Sequence, residues 1–277
     1  MNEYFMESER EAARLHLKDD VGEAEKQIKA AGLLSVADNA VILDVGTGVG
    51  VCSQAAVNVF GSSKKTGCVI SLDRSFTRLI FSKSQIRTTV KRRIRRSRLC
   101  ADAFMLPVKD NSVDFIVCRF LLEYLPDYMA VIRECKRVLK PGGILSIGDL
   151  DCNCLIHYPI SELMEKQLLQ ISSVLTRLKL WDPFMGRKLY AAFCRAGMVN
   201  NTVTVCAHHV FAGRFPDNHL QNWRYKLEAV KRLAVQHRLT LGFSIEKFAA
   251  SFIALLKNNQ RFSYTPLIIV VGRKKHD

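Results

Sequence analysis

The chain is 277 residues long and holds 41 Lys and Arg against 26 Asp and Glu, a formal net charge of +15. Its 48% hydrophobic and 24% charged content excludes wholesale disorder and fibrous repeats and is enough for a sizeable core. The apolar runs are short, residues 267–271 being typical, and Met1 to Arg14 lacks the apolar stretch of a secretory signal; no membrane span is expected, and the expected location is cytoplasmic.

Residues 1–37 read as helical. The stretch 9–30 is rich in Ala, Glu, Lys, Leu and Arg, and Gly32 fits a helix stop. Residues 41–45 form a short apolar run that leads at once into Gly46, Gly48 and Gly50, the pattern of a buried strand entering a tight turn. A helix is expected over 51–60 and a second strand over 67–72, ending at Asp73. Residues 75–98 read as a basic helix, and 97–100 as a short third strand before Ala101 and Asp102. The fourth strand spans 113–118. The helix over 128–139 stops at Pro141-Gly142-Gly143, and the fifth strand follows at 144–147.

Beyond it come a helical insertion over 154–180, a helix over 187–196, a sixth strand over 203–211, helices over 220–237 and 245–257, and a last strand over 263–272. Strands alternating with helices predict an α/β fold, a doubly wound, seven-stranded, mostly parallel sheet with helical insertions. The expected organisation is an N-terminal helical lid over 1–37 and one domain over 38–277. Insertions at about 152–185 and 212–261 would cover the substrate.

The 9 cysteines sit mostly in apolar surroundings and read as small buried hydrophobes. Cys152 and Cys154 are the only close pair, which is poor zinc spacing, so no metal is expected. His208 and His209 lie in a strand pattern, where alternation sends only one of them inward.

Asp44-Val45-Gly46-Thr47-Gly48-Val49-Gly50 carries the strongest chemical signal. Glycines let the backbone turn sharply and approach a ligand, and the helix that follows offers unpaired N–H groups. A dinucleotide fingerprint needs a third glycine at position 51, which is Val51. The observed D-x-G-x-G-x-G resembles motif I of the class I S-adenosylmethionine-dependent methyltransferases. Asp73 at the second strand's end and Asp102-Ala103 after the third extend the resemblance. So do residues 114–120 with Leu125-Pro126-Asp127, and 137–143 before the fifth strand. It is strong over about 35–150 and points to the quinone-biosynthesis and natural-product branch.

The resemblance implies S-adenosylmethionine as cofactor and assigns roles. Gly46, Thr47, Gly48 and Gly50 would line the methionine moiety, and Asp44 would orient its ammonium. Asp73 would hold the ribose, Arg74 would pack on the adenine, and Asp102 and Ala103 would read the adenine edge. Backbone around Arg119 and Phe120 would meet the methionine end. On the acceptor side, residues 148–159 bring several polar groups to the strand edge where ligands bind in such folds. There His157 is the candidate general base, since imidazole titrates near neutrality, and Asp151, Asn153 and Tyr158 are candidate substrate contacts.

Methyl transfer to a small, apolar or aromatic acceptor is the first functional reading. An RNA or protein methyltransferase using the basic 83–98 stripe is the alternative, together with a non-catalytic cofactor-binding protein. From Arg74 to Arg98 there are ten Lys or Arg and no acid. Such a stripe could meet an anionic membrane surface; nucleic acid is the less favoured partner, because no aromatic residues are interleaved for base stacking. The methylated atom and the oligomeric state stay open.

Overall fold

The computed structural model describes residues 21–76, 79 and 93–276. The expectations placed on 1–20 and 77–92, the first part of the lid and most of the basic stripe, lie outside the described residues apart from Leu79. The elements in order are α1 (Val21–Ala30), β1 (Ala40–Val45), α2 (Val51–Ser62), β2 (Gly67–Asp73), β3 (Ile94–Cys100), β4 (Val113–Arg119), α3 (Tyr128–Val138) and β5 (Leu139–Leu150). Then come β6 (His157–Tyr158), α4 (Glu162–Arg177), α5 (Leu189–Arg195), β7 (Met198–Ala212), α6 (Asp217–Gln236), α7 (Ile245–Leu256) and β8 (Phe262–Lys274).

One sheet runs in the order β3-β2-β1-β4-β5-β8-β6, with β7 on β8. The pairs among β1 to β5 are parallel, and β8 is antiparallel to its neighbours. The expected sheet is thus present, with one strand more. The addition is the two-residue β6, which shares an edge of β8 with β5 because β7 occupies the other edge.

The central strands are apolar on both sides, which is what helices on both faces require. Leu43, Val45, Ile116 and Ile147 point to one face and pack with Val131 and Ile132 of α3 and Phe193 of α5. Ile42, Phe115, Val117 and Ile144 point to the other, against Ala24 and Ile28 of α1 and Ala55 and Phe60 of α2. A third apolar cluster lies away from the sheet. It joins Leu168 and Leu175 of α4, Leu227 and Leu233 of α6 and Phe248 and Phe252 of α7, so both expected insertions share one core.

Two expected elements differ. Residues 94–98, expected to be helical, lie in β3, which pairs with β2 from Gly67↔Ile94 to Asp73↔Cys100. The parallel neighbour overrides helix propensity here, and exposed Arg95 and Arg98 on this edge strand discourage pairing with another chain. β5 begins directly at Leu139, so Pro141-Gly142-Gly143 forms an irregular stretch at its start, with a register shift against β4 between Val113 and Phe115. Among the described residues no helix is long and apolar enough to cross a membrane.

Asp114 shows how a motif residue serves the sheet. Its Oδ2 accepts the Val41 N–H at 2.9 Å, and Lys140 Nζ pairs with both carboxylate oxygens at 2.8 Å. It thereby ties the starts of β1, β4 and β5 together. Asp114→Ala is expected to lower stability by about 1–3 kcal/mol. Urea denaturation would read this as an earlier midpoint with unchanged slope; a wild-type midpoint would contradict the tie.

Candidate functional site

The turn after β1 is stitched to the tip of β2. The Gly46 and Thr47 N–H groups donate to the Leu72 carbonyl at 2.8 and 2.9 Å, and the Gly48 N–H donates to Asp73 Oδ2 at 2.9 Å. Gly46 has φ +73, and a Cβ there would lie 2.8 Å from the Leu121 side chain, so both conformation and space demand glycine. Beneath the turn, Asp44 Oδ2 accepts the Thr47 and Ser53 hydroxyls at 2.6 and 2.7 Å, and the Ser53 and Ser71 hydroxyls lie 2.6 Å apart. Burial pushes the Asp44 carboxyl up to about 6 against the opposing pull of these hydroxyls.

An open cleft of about 70 Å³ runs along the tips of β1, β2 and β3. Gly46, Asp73, Arg74, Asp102 and Ala103 all line it, so five of the expected cofactor residues meet there. Leu125 of the Leu125-Pro126-Asp127 motif adds an apolar wall, together with Leu72, Phe104 and Leu121, to which the motifs gave no role. Asp73 is also a loop brace, since Oδ1 accepts the Ser75 N–H at 2.9 Å. Asp102 accepts the Phe104 N–H at 2.9 Å. Asp44 and Thr47 lie below the turn as its support, and Gly50 caps α2 with φ 93.

Arg119 and Phe120 belong to a second cluster at the tip of β4. Arg119 pairs with Glu23 of α1 and stacks on the Phe120 ring at 4.2 Å. His208 Nδ1 lies 2.9 Å from the other Glu23 oxygen. Burial opposes ionisation of Glu23, but the His208 hydrogen bond and the Arg119 charge outweigh it and hold the carboxyl at about 2. Next to them the Gln27 amide, 4% exposed, lies against Gly148 of β5. Among the described residues neither Gln27 amide atom nor Arg119 Nε has a hydrogen-bond partner.

The His208 and His209 rings lie 3.8 Å apart, contrary to strict alternation, because the β7–β8 register shifts between His208 and Phe211 and His209 takes φ 49. Both line a cleft of about 840 Å³, open to solvent, between α1 and β7–β8. Among the described residues no cluster of three His, Cys, Asp or Glu side chains suits a metal ion.

The acceptor-side expectations divide. Asn153 is buried, and its Nδ2 donates to Glu123 Oε2 at 3.1 Å. Asp151 is clamped by Arg187, whose Nε and Nη2 donate to its oxygens at 2.8 and 2.9 Å, so it fixes the loop and is spoken for. Tyr158 is 75% exposed and lines none of the clefts described, a correction that follows from alternation on β6: His157 faces in and its neighbour faces out.

His157 has both ring nitrogens engaged. Nε2 lies 3.1 Å from the Cys154 carbonyl, which only a proton-bearing nitrogen can satisfy, and Nδ1 accepts from Arg261 Nη2 at 3.2 Å. Burial, and then the Arg261 charge, lower its pKa to about 4. This geometry gives His157 a wall-forming, positioning part and leaves no nitrogen spare for the expected proton transfer.

Sequence reading missed Ser53, Glu23, Gln27, Glu123 and Arg261. Ser53 had a signal, a small polar residue on the inward side of an apolar helix. The others gain meaning only from partners far along the chain.

Residues 43–147, from within β1 to within β5, match a family model described as a methyltransferase domain. Demethylmenaquinone methyltransferase of Bacillus cereus (strain B4264) is 33% identical over 108 residues, 37% of this chain and 45% of that protein. The match thus spans less than half the length of that relative. Phosphoethanolamine N-methyltransferase 2 of Haemonchus contortus, solved with S-adenosyl-L-methionine, has a TM-score of 0.54 and 16% identity, covering 92% of this chain and 53% of that chain. Geranyl diphosphate C-methyltransferase of Streptomyces coelicolor has a TM-score of 0.51 and 17% identity, covering 91% of this chain and 75% of that chain. At these identities the structural likeness is one of fold. The resemblance of the 43–147 segment to the class I methyltransferases holds.

The raised Asp44 pKa has a testable sign. The folded state keeps the proton to a higher pH than the unfolded state, so the penalty for ionising Asp44 grows as pH rises from about 4 to about 6 and is constant above. Asp44→Asn removes that penalty. The stability of the variant relative to wild type is expected to rise by up to about 3 kcal/mol between pH 4 and pH 7. Urea denaturation across this range would show it; a difference independent of pH would show that Asp44 ionises freely in the fold.

Proposed function

We propose that this chain, which carries a methyltransferase domain over 43–147, is an enzyme that transfers a methyl group from S-adenosylmethionine to a small-molecule acceptor. The observation that carries the reading is the cleft at the β1–β3 tips. There a glycine turn, the Asp73 carboxylate and the Asp102-Ala103 step stand on one wall in the order of the family's motifs. A dinucleotide fingerprint is missing at the same place, since Val51 stands where its third glycine belongs.

The residues present fit such a nucleoside. Asp73 would accept from the ribose hydroxyls, Asp102 would accept from the adenine amino group and the Ala103 N–H would donate to the ring. Leu72, Phe104, Leu121 and Leu125 supply apolar faces for the purine, and the stem of Arg74 adds to them. Gly46, Thr47, Gly48 and Gly50 would let the backbone approach the sulfur-bearing chain. The unsatisfied Gln27 amide and Arg119 Nε offer hydrogen bonds for a polar amino-acid end. S-adenosylmethionine supplies an activated methyl group when bound. The protein's own tasks are then alignment and exclusion of water, which favour a displacement in which charge is neutralised.

The α4, α6 and α7 helices line a partly open, concave apolar pocket of about 60 Å³, unlike a flat polymer-binding face. That supports a compact acceptor. The quinone and prenyl diphosphate named for the similar proteins are of this kind.

Calorimetric titration with S-adenosylhomocysteine tests the proposal. Saturable binding is expected, with no binding of NADH. Asp73→Asn is expected to weaken the affinity about 5- to 150-fold, the loss of about 1–3 kcal/mol of charge-assisted hydrogen bonding. Failure to bind S-adenosylhomocysteine, or a nicotinamide nucleotide bound in its place, would overturn the proposal.

A further inference from the structure

The cleft between α1 and β7–β8 holds about 840 Å³, within the usual range for small-molecule sites and far more than the pocket of about 60 Å³ under α4, α6 and α7. Its walls are of two kinds. Leu267, Ile269 and Val271 of β8, with Ala30 and Ala31 of α1, make the apolar part. Glu23, Gln27, His208, His209 and His219 make the polar part. The buried Gln27 amide has neither atom bonded among the described residues, so this wall has hydrogen bonds still to make.

The polar part stands at the β4 tip. Arg119, the last residue of β4, pairs with Glu23 and stacks on Phe120, whose ring centre lies 5.3 Å from that of His208. The next residue, Leu121, lines the cleft at the β1–β3 tips. Residues 119–121 therefore reach from the His208 cluster to that cleft. Rings continue beyond His208: His208 to His209 at 3.8 Å, His209 to His219 at 5.8 Å and His219 to Phe211 at 4.6 Å between centres. Ring faces and edges grouped in this way suit a planar aromatic ligand.

Glu23 sets the chemistry of His208. The buried Arg119 guanidinium keeps its carboxylate ionised, and one carboxylate oxygen lies 2.9 Å from His208 Nδ1. An ionised carboxylate only accepts, so Nδ1 carries the ring proton and Nε2 has the basic lone pair. A second proton, taken on Nε2, would form the imidazolium beside a negative charge already in place, which is how a carboxylate orients and supports an imidazole base. His157, the base expected from sequence, has both nitrogens engaged and lines a different pocket. Imidazole is matched to a ring hydroxyl rather than an alkyl one, whose proton is far less acidic.

We propose that this cleft takes an aromatic acceptor bearing a hydroxyl, and that His208 removes the hydroxyl proton while Glu23 and Arg119 hold the imidazole for it. The O–H bond breaks, an N–H bond forms at Nε2, and the electron pair stays on the oxygen, which becomes the nucleophile. Glu23 and Arg119 are positioning residues, because they act through His208. Calling the occupant an acceptor rests on the methyl-transfer reading; the capture and deprotonation of an aromatic hydroxyl do not.

The full chain would be titrated with p-nitrophenol, whose ionised form has its own absorption band, and with its methyl ether, p-nitroanisole, affinities being read by calorimetry. Below the free phenol's pKa, the bound phenol is expected to show the phenolate band. The ether is expected to bind about tenfold or more weakly, having no proton to give. His208→Gln is expected to abolish the band. Glu23→Gln separates proton transfer from plain attraction of an anion. Without the Glu23 charge His208 is a weaker base, so the band is expected to fall; a cleft that was merely cationic, through Lys26 and Arg119, would strengthen it. Should a variant fail to fold, nitrogen NMR of histidine-labelled wild type is expected to show one imidazole, protonated on Nδ1 alone, gain a second proton on addition of the phenol but not of the ether.

No phenolate band on binding, equal affinity for phenol and ether, a band that survives His208→Gln or grows in Glu23→Gln, or no imidazole that gains a proton would overturn the proposal. Binding of S-adenosylhomocysteine without deprotonation of the phenol would sink this inference alone. Deprotonation of the phenol without S-adenosylhomocysteine binding would sink the methyl-transfer reading alone.

Discussion

Asp44 places a carboxylate with 1% exposure beneath the glycine turn that follows β1. Water cannot reach it, so the Thr47 and Ser53 hydroxyls solvate it instead, and Ser71 completes the cluster from the neighbouring strand. Each of these groups belongs to a different element: the turn, α2 and β2. The cost of burying the acid is therefore offset only when all three are in register. That requirement fixes where α2 starts and how the turn lies over Leu72. It also carries Gly48 to Asp73, so the wall of the cleft at the β1–β3 tips is set by packing under it.

From that fixed point the architecture separates two tasks. The parallel strands hold their tips at one edge, and the cleft beside Asp73 and Asp102 is made of short local pieces of β1, β2 and β3. The other side is made by long excursions. α4 leaves after β6, and α6 and α7 leave between β7 and β8, yet they converge on one apolar cluster. A space enclosed by two such excursions can change its lining without disturbing the sheet.

The difference in construction also decides what could be read from residues alone. β1, β2, β4 and the glycine turn were legible because their signals are local: an apolar run, then glycines, then a strand-end acid. The strand over 94–98 was not, since its run of arginines suits an exposed helix until the partner strand β2 is known. Glu23 joins Arg119 across 96 residues and His208 across 185, and no spacing rule connects them. His209 escaped alternation through a bulge, which is a property of pairing with β8. His157 and Tyr158 were both attractive by residue type. What separates them is the side of a two-residue strand on which each falls and the hydrogen bonds already filled.

Glu123 shows how the two halves are joined. It stands just past the tip of β4, and its N–H donates to Asp149 Oδ2 of β5 at 3.1 Å. Burial, and then the nearby Glu123 charge, raise the Asp149 carboxyl well above its ordinary range. The Glu123 carboxylate is held by donors from Trp181 and Asn153. Trp181 lines the apolar pocket under α4, α6 and α7. The Glu123 carbonyl accepts the Asp182 N–H at 2.7 Å, which anchors the segment bearing Trp181. The β4 tip and this pocket are held to one another by these bonds, because a buried carboxylate that loses its donors is costly. The strand edge and the helical cover are thus joined through Glu123, and the apolar pocket under α4, α6 and α7 is tied to the same sheet edge as the cleft at the β1–β3 tips.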